Sequence, residues 1–221
     1  MSSESSGTAD ILGYWNGYYG RAVAGFVARP SQFAAFFVGE IDPGSMIIEF
    51  GCGNGRDSLF FAQAGFQTIG VDGSSAAVEG CAAAAGELGL GHARFLCSRV
   101  EDPALGGRIA DLAGPSAPRA LYARFLLHAI TQDQEDALLA TAAGLCRPGE
   151  SLAVEFRTRR DEAQAKVTGA HYRRFIDPLH LIANAGRHGF ATRYFVEGFG
   201  YAKYKADDAH VARCLFSRSP G

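Results

Sequence analysis

The most constraining stretch of this chain is Met46-Ile-Ile-Glu-Phe-Gly-Cys-Gly-Asn-Gly55, where an apolar run ends in an acid and then breaks into Gly51-x-Gly53-x-Gly55. A second apolar run, Thr68-Ile-Gly-Val-Asp72, ends in another acid. It lies about 20 positions beyond the first glycine, enough for a helix to carry the chain back to a neighbouring parallel strand. The pair reads as strand, glycine turn, helix, strand. Glycines let the turn approach a bound nucleoside closely, and the second acid can accept hydrogen bonds from ribose hydroxyls. The spacing is G-x-G-x-G rather than the dinucleotide G-x-G-x-x-G, and no phosphate-binding Lys-Ser/Thr pair follows. Glu49, directly before the turn, would repel a pyrophosphate but suits a zwitterion carrying an ammonium group.

The remaining pattern alternates strand and helix. Strands are predicted near 46–50, 67–72, 92–97, 119–125 and 151–157, and helices near 55–64, 74–88, 132–146 and 178–188. Thr131 opens the third of these helices, with Gln134 at capping-box spacing. Such alternation predicts an α/β fold with a doubly wound, mostly parallel sheet. Residues 190–197 and 210–217 are both strand-like, and Gly198–Asp208 between them has no helical repeat of adequate length. A direct connection of this kind pairs strands antiparallel, which predicts seven strands with one reversed near the C-terminus. We expect one domain over 1–221, with a disordered polar tail at 1–10 and an aromatic helical segment at 11–40.

Charge and cysteines narrow the class. The formal charge of −2, from 21 basic and 23 acidic residues, gives no global pull toward nucleic acid or membrane. No apolar run reaches membrane-spanning length, and the polar N-terminus is unlike a signal peptide. Five scattered cysteines without C-x-x-C read as buried thiols of a reducing compartment, hence a cytoplasmic protein without a metal site.

The two acids and the glycines resemble the class I S-adenosylmethionine (SAM) methyltransferases. Tyr122-x-Arg124-Phe-x-Leu-His128, Glu155-Phe-Arg157 and His171-Tyr-Arg-Arg174 look like a bacterial branch acting on small molecules. The resemblance implies SAM as cofactor, a small-molecule substrate and a monomer or homodimer. It implies cofactor contacts from Glu49, Gly51, Cys52, Gly53, Asp57, Asp72 and Gly73, then Ser98, Val100 and Arg124. Val100 fits packing on adenine, but Arg99 stands where the family often has an acid for the adenine amino group. The insertion at 158–177 would cover the substrate.

The chemistry should sit beyond the carboxyl ends of the strands. His128 is the expected base, since imidazole suits proton transfer near neutral pH. Tyr14, Tyr19 and Glu155 are the alternatives. Arg124 is expected beside His128 in the same cleft. Tyr19, Arg157, Tyr172 and Arg173 are expected at the substrate, with Arg174 completing a guanidinium group that suits a carboxylate or phosphate; a solvated basic turn is the plain alternative. Tyr14, Trp15, Tyr18 and Tyr19 either cap the sulfonium or simply pack a helix. Three readings follow. The first is methyl transfer to O or N of a small anionic metabolite. The second is intramolecular cyclisation of SAM to azetidine-2-carboxylate and methylthioadenosine, as in some enzymes of this fold. The third is a SAM-binding protein without catalysis.

Overall fold

A strand buried at every position anchors the sheet: β1 (Met46–Phe50) runs parallel to both β2 (Gln67–Asp72) and β4 (Arg119–Arg124). The computed structural model describes residues 4–20, 29–115, 117–162, 164, 172–204 and 207–221. β3 (Ala93–Cys97) pairs outside β2, and β5 (Ser151–Arg157) outside β4. β6 (Phe190–Gly198) and β9 (Val211–Arg218) complete the order β3-β2-β1-β4-β5-β9-β6. β9 is antiparallel to both neighbours, as the helix-free connection before it predicts. That connection folds into a small hairpin of β7 (Lys203–Tyr204) and β8 (Asp207–Asp208).

Alternating side chains divide the core. Met46, Ile48 and Phe50 join one apolar cluster, while Ile47 joins the other with Phe33, Phe37, Phe61 and Tyr122. The helices are α1 (Glu4–Tyr19), α2 (Gln32–Phe37), α3 (Arg56–Gln63), α4 (Ser75–Glu87), α5 (Leu105–Ala113), α6 (Gln132–Leu145) and α7 (Pro178–Arg187). Their starts follow local chemistry. Ser31, Ser74 and Asp177 cap α2, α4 and α7, and the Thr131–Gln134 capping box opens α6. Among the described residues no helix is long and apolar enough to cross a membrane.

Two expectations change. The tail expected to be disordered over 1–10 is helical from Glu4 onward; residues 1–3 lie outside the described residues. α5 was not anticipated, because Gly106 and Gly107 lower helix propensity. Leu105 and Ile109, one turn apart, are nonetheless fully buried, and packing overrides the glycines. In the 158–177 insertion, residues 163 and 165–171, including His171, lie outside the described residues, while Thr158 bridges back to Ile176.

Strand order reverses at β1, whose neighbours β2 and β4 lead the chain in opposite directions. Open α/β sheets leave their ligand crevice at that switch, beyond the carboxyl ends of the strands.

Candidate active site

A cleft of about 810 Å³ opens at this switch, large enough for a nucleoside and a second small molecule. Its first half is built by the glycine turn. Gly51 and Gly53 adopt φ of 73° and 53°, the left-handed region that glycine tolerates. A β-carbon on Gly51 would meet Leu126 at 2.9 Å, and one on Gly53 would collide with the Tyr19 hydroxyl. Asp72 closes the turn: Gly53 N donates to its Oδ2 at 2.8 Å and Ser74 N to its Oδ1 at 2.9 Å. Burial nevertheless pushes the Asp72 carboxyl above the usual range, against the pull of these N–H groups. Glu49 is buried below the turn and accepts from Ser58 Oγ. Burial, and then Asp57, push its carboxyl well up. The Cys52 thiol is held protonated by a hydrogen bond to Cys81 and by burial. Above the turn, α1 is tied down where Ser74 Oγ bonds Asn16 Oδ1 at 2.6 Å, and Ile11, Leu12 and Trp15 form the roof.

The second half of the cleft is cationic. Arg124, Arg173 and Lys203 line it together with Phe125 and His128. Arg124 Nε donates to Glu155 Oε1 at 2.8 Å, and Arg213 Nε donates to Glu155 Oε2 at 2.7 Å. His128 is buried, and its Nδ1 accepts from Arg157 N at 3.4 Å. Arg157 also lines the cleft, but its guanidinium binds both Asp161, at 2.6 Å, and Asp207. Burial, followed by the charge of Arg157, lowers the pKa of Arg173.

Residues 47–149 match the family profile of a methyltransferase domain. Over that segment the chain is similar to the methyltransferase-domain family. Solved structures agree on the fold. A SAM-dependent methyltransferase from Anabaena variabilis superposes with a TM-score of 0.71 at 17% identity, over 96% of this chain and 95% of that one. The magnesium protoporphyrin IX methyltransferase of Synechocystis, with bound S-adenosylhomocysteine (SAH), gives 0.64 at 18% identity, over 95% of each chain. The [4+2]-cyclase SpnF gives 0.68 at 18% identity, over 100% of this chain and 98% of that one. No curated protein matches the chain in sequence.

The residues present fit SAM. Gly51, Gly53 and Asp72 all line the cleft, so the turn's backbone and the acid that closes it face the space a nucleoside would occupy. Sequence reasoning missed one acid on the cleft wall. Glu101 lines the cleft beside Val100; its Oε1 takes Arg99 Nε at 2.6 Å and Gln134 Nε2 at 2.9 Å. Its Oε2 is buried and has no hydrogen-bond partner among the described residues. The available signal was an acid beside an arginine able to neutralise it in part. Ser98, also on the cleft wall, bonds Asp102 Oδ2 at 3.1 Å.

Several expected site residues bond to other protein groups or lie off the cleft wall. Asp57 spends its carboxylate on Ser31 N at 2.8 Å, Ser31 Oγ at 2.7 Å and Tyr122 Oη at 3.0 Å, fixing the entry to α2. Glu155 is fully buried between two arginines and is not on the cleft wall. Tyr19 packs on Gly53 beside the glycine turn, where burial and then Asp72 raise its pKa. Arg174 leaves the expected guanidinium group, binding Glu135 Oε2 at 2.6 Å and Leu127 O at 3.1 Å. Tyr172 is exposed and is not on the cleft wall; Tyr14 packs on Trp15 and Tyr18 behind it.

Proposed function

We propose that this methyltransferase moves the SAM methyl group to an oxygen or nitrogen of a small anionic metabolite. The observation that carries the reading is one continuous cleft joining the glycine turn and Asp72 to a wall bearing Arg124, Arg173 and Lys203. In our reading Asp72 holds the ribose, Glu101 Oε2 accepts from the adenine amino group beside Val100, and Glu49 favours the ammonium end. Methyl transfer is an in-line displacement, so the protein contributes mainly alignment and removal of the nucleophile's proton. His128 is our base. It accepts a proton at Nε2 only from the tautomer with hydrogen on Nδ1, which must give up the Arg157 N–H. At 3.4 Å that bond is long, and losing it costs less than losing a well-made one.

The test is incubation of the protein with SAM, alone and with pooled anionic metabolites, with products identified by mass spectrometry. SAH formed only when acceptors are present supports the proposal. Methylthioadenosine with a four-carbon cyclic amino acid, formed from SAM alone, would replace it with cyclisation. No turnover together with tight SAM binding would leave a binding protein.

A further inference from the structure

Among the described residues, one non-glycine residue has a positive φ: Phe125, at 56°. Left-handed backbone is costly for an aromatic residue and persists where surrounding structure enforces it, often at a functional site. Here the enforcing contact is Phe125 N donating to Glu155 O at 2.8 Å. The conformation lays the Phe125 ring against the Arg124 guanidinium, with Cζ 4.2 Å from the ring centroid.

Sheet register supplies the rest. Arg124 lies directly opposite Glu155 on β5, and Glu155 directly opposite Arg213 on β9. The buried Glu155 carboxylate therefore takes one Nε–H from each side. Arg213 cannot swing away, because it donates to Tyr201 O at 2.6 Å and sits 5.1 Å over the Phe33 ring. Two guanidinium groups against one carboxylate leave this row with a net positive charge. Arg124 Nη1 and Nη2 make no hydrogen bond among the described residues, and the side chain is on the cleft wall.

We infer that Arg124 is a prebuilt carboxylate fork: its Nε edge is locked by Glu155, its face is held by the strained Phe125, and its Nη edge is presented to the cleft. Two parallel N–H groups match the two oxygens of a carboxylate. The edge carries the charge of one guanidinium, which matches a carboxylate monoanion carried by an amino acid or similar metabolite. Phe125 and Glu155 are positioning residues. The inference rests on the SAM reading of the cleft, and the carboxylate comes from SAM itself or from the acceptor.

Calorimetry on the wild type, Arg124→Lys, Phe125→Asn and Phe125→Tyr separates these cases. Asn tolerates the left-handed region without supplying a ring, and Tyr keeps the ring. The probes are SAH, its decarboxylated analogue S-adenosyl-3-thiopropylamine, and benzoate added to SAH-saturated protein. If the fork grips the cofactor, the wild type and Phe125→Tyr prefer SAH over the analogue by about 10–100-fold. Arg124→Lys and Phe125→Asn then lose that preference while binding the analogue as the wild type does, a pattern a merely structural role would not give. If the fork grips the acceptor, SAH affinity is unchanged throughout, and benzoate binds the saturated wild type but is about 10-fold or more weaker in Arg124→Lys and Phe125→Asn. SAH binding with neither pattern overturns the fork and leaves the SAM reading standing. Failure of wild-type protein to bind SAH or the analogue overturns both.

Discussion

Removal of the Asp72 carboxylate is the sharpest test of the cofactor site. In the free protein its two oxygens hold the Gly53 and Ser74 N–H groups, at 2.8 and 2.9 Å. Each oxygen keeps a second lone pair for a ribose hydroxyl. A hydrogen bond to a charged group contributes about 1.5–3 kcal/mol, so losing one or both to the ribose weakens binding by roughly 10–10⁴-fold. The effect on stability is smaller, because two contributions oppose each other. Asp72→Ala loses the turn's two backbone bonds but also relieves a carboxylate whose burial opposes its charge. Asp72→Asn, which keeps one acceptor oxygen, should fall between wild type and Ala. The assay is titration calorimetry with SAH, paired with thermal melts to verify folding. A folded Asp72→Ala protein with unchanged SAH affinity would refute the ribose assignment and, with it, the reading of the glycine turn.

Glu49→Gln should raise the melting temperature at about pH 8, with the gain shrinking toward about pH 5. The sign follows from a folded-state pKa above the ordinary carboxylate value: stability is full below the unfolded pKa and is lost as pH rises through the raised one. A melting temperature unchanged at both pH values would contradict it. Glu101→Ala should weaken SAH by about 10–150-fold, the loss of one bond to a charged acceptor, yet leave the inosine analogue of SAH, which lacks the amino donor, little affected. Equal losses for both ligands would remove Glu101 from adenine recognition. His128→Ala should lower turnover by roughly 10²–10⁴-fold near neutral pH with SAH affinity retained. Wild-type turnover across the pH range would take His128 out of the mechanism.

The sequence by itself determined whatever depends on neighbours along the chain. An apolar run, a glycine turn and a second apolar run fixed β1, α3 and β2 and the position of the turn that lines the cleft. Thr131 and Gln134 fixed the start of α6 through a capping box, and a helix-free connection fixed the reversed β9. These are short-range matters of propensity, capping and chain reach. Tertiary structure alone decided which charged groups remain available to a ligand. Arg157 looked like a substrate arginine until folding brought it Asp207 from the β8 hairpin strand, and Arg174 until folding brought it Glu135 from α6. Arg99 looked like an unbalanced charge until folding paired it with Glu101. A charge is spent or free according to what lies within a few ångströms in space. The partners of Arg124, Glu155 and Arg213 are set by register across three strands distant in sequence.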